Sequence, residues 1–275
     1  FASTPRLSAA ENRKGDYRYD YDVPDWETLP AADRKREEAR MEAYAAMVDR
    51  MDRGIGRVLA ALEDSGVAED TLVMFLSDNG GCASWPDQRE GQERGFVEYN
   101  KGIPVGDGRG YEFVGKGWGW AQNAPFRKFK TWCYEGGITT PMIVRWPGTV
   151  APGSIAHQIG HVIDFMPTIL ELAESEYPSE FNGNAILPVE GETLLPVFRG
   201  EKRKGHGSLR WELFGNRAIR QGDWKLVWGA SEKTWELYDL KADRSETNNL
   251  AEEFPERVIA MARDWEAWLE EVENR

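Results

Sequence analysis

The sequence predicts an α/β fold: a mostly parallel sheet flanked by helices, followed by a small C-terminal antiparallel sheet packed by a helix. Three stretches carry this expectation. Leu72-Val73-Met74-Phe75-Leu76 is an unbroken apolar run, which suits a strand covered on both faces, as in parallel sheets layered by helices. Residues 33–64 place Met41, Tyr44, Met47, Val48, Met51, Ile55, Val58, Leu59 and Leu62 at three- and four-residue steps, one apolar stripe on a long helix. Near the end, 217–228 and 235–240 read as paired strands, and Val258, Met261, Trp265, Trp268 and Leu269 repeat at helical spacing from Pro255 to about Val272.

Taken in order, residues 1–32 are polar, rich in Asp, Tyr, Arg and Pro, and form an irregular arm. The helix 33–64 follows, its Met residues filling core, and Gly66 stops it. The strand 71–77 is the return limb. Residues 80–123 carry many glycines plus Trp85, Trp118 and Trp120 with little periodicity. A loop of this length is functional or unstructured, and its indoles either wall a substrate or cap the core. Gly106-Asp-Gly-Arg-Gly110 is no phosphate loop, since no strand precedes it and no Lys-Ser or Lys-Thr pair follows. A short strand, 141–146, is closed by Pro147, and 167–174 is a helix with proline in its first turn. Residues 33–204 are thus expected as the main α/β unit and 205–275 as a small subdomain.

Hydrophobic residues make up 41% of the chain, enough for a sizeable core. With 34 basic and 47 acidic residues the net charge is −13, which argues against broad nucleic-acid or anionic-membrane binding. No apolar segment is long enough to span a membrane. The chain begins at Phe1 without a secretory signal, and a partial chain is the expectation. Cys82 and Cys133, the two cysteines, are either bridged or buried thiols.

Asp78-Asn79-Gly80 closes the apolar run. It reads either as a tight turn, since Asn and Gly tolerate positive φ, or as two hard oxygen ligands where ligand sites of such sheets lie, beyond the strand's carboxyl end. Oxygen donors of this kind suit Ca²⁺ or Mg²⁺, and two side chains fall short of the roughly six to eight oxygens that calcium takes. Lys130 is either a surface lysine in the cluster Arg127, Lys128 and Lys130 or an anion ligand. His161 is expected to be structural, and His157 and His206 to be solvated.

A more specific pattern lies downstream: Asn123-Ala-Pro-Phe-Arg-Lys-Phe-Lys130-Thr-Trp-Cys-Tyr-Glu-Gly-Gly-Ile-Thr-Thr-Pro141, leading into Met142-Ile-Val-Arg-Trp-Pro147. Together with Ser77-Asp-Asn-Gly80 it resembles the second half of the sulfatase family, close to the bacterial arylsulfatase branch of the alkaline phosphatase superfamily. Tyr44-Ala-Ala-Met-Val-Asp-Arg-Met-Asp52, Gly160-His-Val-Ile-Asp-Phe-Met-Pro-Thr168, Ala218-Ile-Arg-Gln-Gly-Asp-Trp-Lys-Leu-Val227 and Trp235-Glu-Leu-Tyr-Asp-Leu240 extend the resemblance.

That resemblance implies a partial alkaline-phosphatase-like fold, Asp78 and Asn79 as ligands of a Ca²⁺ (or Mg²⁺) ion, and Lys130 as the sulfate-binding lysine able to assist the departing oxygen. Lys128 is the alternative if the register is shifted. Glu135, Gly136 and Gly137 would shape the turn that aims Lys130, glycine tolerating positive φ. The family's Cys/Ser-X-Pro-X-Arg motif, whose Cys or Ser becomes formylglycine, is missing here; Ser3-Thr-Pro-Arg6 has its arginine one position early. The formylglycine, a pair of aspartates and the catalytic histidines are therefore expected in an N-terminal half, in a periplasmic or secreted protein. The substrate implied is a sulfate ester of an aryl or carbohydrate alcohol. The alternatives are a noncatalytic remnant binding a sulfated ligand or partner, and a phosphatase or phosphodiesterase of the same superfamily.

Overall fold

The computed structural model describes residues 23–83, 98–230 and 232–274. Trp85 and the arm up to residue 22 lie outside them. In chain order the elements are α1 (Ala31–Asp64), β1 (Val73–Leu76), α2 (Lys116–Asn123), the single turn α3 (Glu135–Ile138), β2 (Met142–Arg145) and α4 (Phe165–Leu172). The hairpin β3 (Glu180–Phe181) and β4 (Asn184–Ala185), the turn α5 (Leu195–Phe198), β5 (Leu209–Leu213), β6 (Asn216–Gln221), β7 (Trp224–Trp228), β8 (Trp235–Asp239) and α6 (Pro255–Glu273) complete it. Among the described residues no helix is long and apolar enough to cross a membrane.

Helix α1 ends as its sequence dictates. Gly66, at φ +70°, lets the Val67 N–H reach Leu62 O and its own N–H reach Glu63 O, a Schellman closure. Its apolar stripe departs from expectation. Met41, Tyr44, Ile55, Leu59 and Leu62 are half-buried, but Met47 is 65% and Val58 61% exposed, with Val48 and Met51 also exposed. The methionines at 47 and 51 are therefore not core among the described residues: the stripe is right for a helix, and nothing described covers its middle.

Two compact units form. One takes residues 58–76 and 142–209. Its β1 and β2 pair antiparallel, Met74 opposite Val144 and Phe75 opposite Ile143. This corrects the expected mostly parallel sheet at this strand, since an apolar run reports coverage and is silent on a neighbour's direction. Period-two alternation then sorts the side chains. Met74 and Val144 pack with Trp146 and Phe165 onto Leu194, Leu195 and Phe198, while Phe75 is 38% and Ile143 63% exposed on the other face.

Asp164 ties this unit together from full burial. Its carboxylate accepts from the backbone N–H of His161 and of Glu192, each at 2.9 Å, and from Arg203 Nη2 at 2.9 Å, and it meets His206 Nε2 at 2.7 Å. His161 is structural as expected, capping the turn ahead of α4 with Nδ1 accepting from the Ile163 N–H. His206 is nearly buried rather than solvated, because its polar neighbours in sequence hide a buried carboxylate partner in space. Burial raises the Asp164 carboxyl, but the donors around it outweigh that and hold it below the usual range. Its contribution to stability is thus present above the ordinary aspartate pKa and lost as pH falls through the depressed one. Asp164→Asn is expected to cost about 2–3 kcal/mol, read as a lower urea midpoint with an unchanged slope. A midpoint equal to wild type would contradict the role.

The second unit takes the described residues up to 57, 77–141 and from 210 onward. Strands β5 to β8 form one sheet in sequence order, with β6–β7 and β7–β8 antiparallel. Ile219, Leu226 and Leu237 on one face pack against Met261 and Trp265 of α6, with Val258, Trp268 and Leu269 alongside. The expected small sheet and its helix are thus present. Ala218, Val227 and Tyr238 on the other face pack against Phe129, Trp132 and Tyr134.

Candidate functional site

The 77–81 loop leaves β1 and is latched on three sides within the second unit. The Gly80 N–H donates to Gly137 O (3.0 Å), the Lys130 N–H donates to Gly81 O (3.1 Å), and the buried Asn123 side chain both accepts from the Gly81 N–H (2.8 Å) and donates to Gly81 O (3.2 Å). Inside the loop, Ser77 Oγ donates to Asn79 O at 2.9 Å. Asp78 is exposed and Asn79 half-buried. Asp78-Asn79 and Lys130 thus stand on one hydrogen-bonded backbone seam.

The seam is made by absent side chains. A Cβ on Gly80 would lie 1.8 Å from Gly136 O; on Gly136, 2.4 Å from both Arg127 O and Lys128 O; on Gly137, 2.0 Å from Trp132 O. None of these three glycines has a positive φ. The expectation that Gly136 and Gly137 serve a left-handed turn is therefore corrected. They sit in the ordinary turn α3, and glycine is required for close backbone approach.

Lys130 is exposed between buried Phe129 and Trp132. Its flanks are held in the left-handed region, Lys128 at φ 67° and Thr131 at φ 84°. For a β-branched residue such as Thr131 this is a strained conformation, and strain of this kind concentrates at functional sites. Lys128, the alternative anion ligand, is buried, with Nζ 3.2 Å from Glu232 Oε1 and 4.3 Å from the centre of the Trp132 ring. Of the two lysines, only Lys130 is placed to meet a ligand from solvent.

Beneath this seam lies a charged layer that the sequence reading did not single out. Lys225 Nζ, fully buried in β7, contacts Glu135 Oε1 (2.9 Å) and Glu246 Oε1 (2.8 Å). Burial raises the Glu135 carboxyl, but Lys225 and the Thr139 hydroxyl overcome it and bring it down to about 2. For Glu246, burial with the Glu135 charge prevails over Lys225 and lifts it to about 7. Nearby, Glu236 Oε2 accepts from Arg127 Nη1, Tyr134 OH and Tyr238 OH at 3.1, 2.7 and 2.6 Å. The one legible signal was a lysine as the second residue of the otherwise apolar strand Trp-Lys-Leu-Val-Trp, where a charge is buried only if paired.

Of the loop tryptophans that either wall a substrate or cap the core, Trp118 and Trp120 pack within the unit. Trp118 Nε1 donates to Glu37 O at 2.8 Å with its ring 5.8 Å from Trp26, and Trp120 meets Phe129 edge-on. Cys82 and Cys133 are both thiols, and burial pushes Cys133 up to about 12.

For a divalent cation, the donor chemistry of Asp78 and Asn79 fits a hard ion. Their number does not complete a site, and among the described residues no group of three or more His, Cys, Asp or Glu could hold a metal ion.

Comparison with known proteins gives two family matches: "Sulfatase" over residues 7–175, and "N-sulphoglucosamine sulphohydrolase, C-terminal" over residues 126–273. An uncharacterized sulfatase of Schizosaccharomyces pombe is 36% identical over 249 residues, covering 87% of this chain and 45% of that protein. An arylsulfatase of Klebsiella aerogenes is 30% identical over 68% of this chain and 40% of its own. Among solved structures, Ps i-CgsB in complex with k-i-k-neocarrahexaose superposes with a TM-score of 0.58 at 25% identity, over 82% of this chain and 42% of that one. The chain spans less than half the length of these relatives.

Proposed function

We propose that this chain, which belongs to the sulfatase family, is the carboxyl-terminal portion of a sulfuric ester hydrolase acting on an aryl or carbohydrate sulfate. Asp78 and Asn79 would hold part of a hard divalent cation site, Ca²⁺ or Mg²⁺, and Lys130 would bind the sulfate group. The observation that carries this reading is the seam: the Lys130 N–H donates to Gly81 O at 3.1 Å, which joins the loop bearing the two oxygen donors to the backbone of the exposed lysine.

The chemistry follows from charge. A sulfate ester undergoing cleavage spreads negative charge over its nonbridging and departing oxygens, and preorganised cations stabilise that charge without reorganising. When bound, a divalent ion supplies Lewis acidity toward the sulfate oxygens. Lys130 would contribute an ammonium carried on a held backbone, able to contact a nonbridging oxygen and to hold a proton near the leaving oxygen. Asn123, Gly80 and Gly137 keep the loop in place. The nucleophile, a formylglycine by family, and the remaining acidic ligands would come from a further part of the domain. The exposed faces of Phe75 and Ile143 on the β1–β2 pair, and separately of Met47 and Met51 on α1, support such a further covering part. They favour it over a self-contained remnant.

The test is hydrolysis of 4-nitrophenyl sulfate by the intact protein with Ca²⁺ present. This chain by itself is expected to be inactive. In the intact protein Lys130→Ala should lower kcat/KM by about a hundredfold or more, and Asp78→Asn should raise the Ca²⁺ concentration needed. Turnover of phosphate esters with none of aryl or sugar sulfates would replace this reading with that of a phosphatase.

A further inference from the structure

Three fully buried ionisable side chains from separate parts of the chain meet under the seam: Glu135 at the start of α3, Lys225 near the start of β7, and Glu246 in the loop after β8. Burying such a group is costly, and well-packed apolar residues commonly do as well for stability. What an apolar side chain cannot do is hold a backbone amide. Glu246 Oε2 accepts the Glu135 N–H at 2.7 Å, while Lys225 Nζ bonds Glu135 Oε1 at 2.9 Å, so the turn is gripped by both its backbone and its side chain.

From that grip the hydrogen bonds run on without a gap. The Gly136 N–H donates to Arg127 O (2.9 Å), Gly137 O accepts the Gly80 N–H (3.0 Å), and Gly81 O accepts the Lys130 N–H (3.1 Å). The Glu246 loop is itself shaped to present its carboxylate. Glu246 has φ 57°, and Asp243 accepts from the N–H groups of Thr247 (2.7 Å) and Asn248 (2.8 Å).

We propose that Lys225 and Glu246, both from the C-terminal sheet region, are positioning residues of the sulfate site: they hold the Glu135-Gly136-Gly137 turn so that the 78–81 loop and Lys130 stay in register. The proposal rests on the sulfatase reading for its kinetic consequence alone; the mechanical consequence stands without it.

The deciding experiment compares Glu246→Gln with wild type in the intact protein. Gln keeps the size and an acceptor oxygen but loses the charge that Lys225 shares. Amide hydrogen exchange at Gly80, Gly81 and Lys130 should accelerate by about tenfold while Tm stays within about 3 °C. On 4-nitrophenyl sulfate, KM should rise and kcat/KM fall by about ten- to a hundredfold, the scale of a misplaced binding group. Unchanged exchange at those three amides in a folded variant overturns the proposal, as does a loss of activity that only follows the loss of folded protein. If wild type hydrolyses no sulfate ester, the sulfatase reading fails and the exchange result alone decides the positioning role. Should Glu246→Gln not fold, Glu246→Asp, which keeps the charge and shortens the reach, is read the same way. Failure of both to fold makes the cluster a folding element and overturns the proposal.

Discussion

Gly137→Ala is expected to destabilise the protein by more than about 4 kcal/mol, and Gly136→Ala by a similar amount, although alanine is the better helix former by about 1 kcal/mol. Both residues lie in the turn α3 with no positive φ, so no backbone strain opposes alanine. Space decides the sign. The new Cβ at 137 would lie 2.0 Å from Trp132 O and 2.5 Å from Phe129 O; at 136 it would lie 2.4 Å from Arg127 O and Lys128 O. These neighbours are backbone atoms of Arg127, Lys128, Phe129 and Trp132, all of them buried. They cannot step aside as the end of a flexible side chain would, and overpacking in such a place shifts the chain. Gly56 on α1 is the matched control. Nothing lies within 4 Å of its added Cβ, so Gly56→Ala should stabilise by about 0.5–1 kcal/mol. Urea denaturation of the three variants reads the contrast. A folded Gly137→Ala within about 1 kcal/mol of wild type would mean that the seam is looser than its distances imply.

The contrast also marks what was legible in the sequence. Gly66 could be assigned because a helix stop is local, written in the residues on either side. The same holds for Pro167 in the first turn of its helix and for the Val258, Met261, Trp265 and Leu269 face of α6, which meets its sheet as expected. The motif around Glu135-Gly136-Gly137 was found, but its physical reason was misread, since a glycine needed for close approach looks in sequence like one needed for positive φ. The direction of the β1–β2 pair was invisible, because Leu72 to Leu76 encodes coverage alone. Trp118 was left open and His206 misjudged for a shared cause. Each takes its role from a partner far along the chain, Glu37 O for the indole and Asp164 for the imidazole. Lys225 and Glu246 were missed outright. A charge becomes a core residue only through its partners, and those are 90 or more positions apart in the case of Lys225 and Glu135.

Removing the cation from that buried trio is the second large effect. Lys225→Met should cost about 3–5 kcal/mol near neutral pH, because it leaves two buried carboxylates facing each other with only the half-exposed Arg244, its Nη2 3.4 Å from Glu135 Oε2, as a counter-charge. The loss should depend on pH in a definite direction. In wild type, Glu135 sits at about 2, below its ordinary 4.5, so it contributes stability present above pH 4.5 and lost as pH falls toward 2. Glu246 sits at about 7, above its ordinary 4.5, so its contribution is full below pH 4.5 and lost as pH rises through 7. The Lys225 ammonium is itself raised, burial opposing and the two carboxylates prevailing, so its share persists through neutral pH and is lost only at alkaline pH. Without it, both carboxyls move upward, so folding of the variant takes up more protons than folding of wild type. Lys225→Met is therefore expected to lose most stability at pH about 8 and to recover part of it at pH about 5.5, where protons replace the missing cation. Adding Glu246→Gln should recover part of the loss at pH about 8 as well, since it removes one of the two stranded charges. Chemical denaturation of the single and double variants at both pH values checks the argument. An equal loss at the two pH values in Lys225→Met would mean that the carboxylates shed their charge strain by another route, and the pairing across Lys225 would lose its role as the support of the turn.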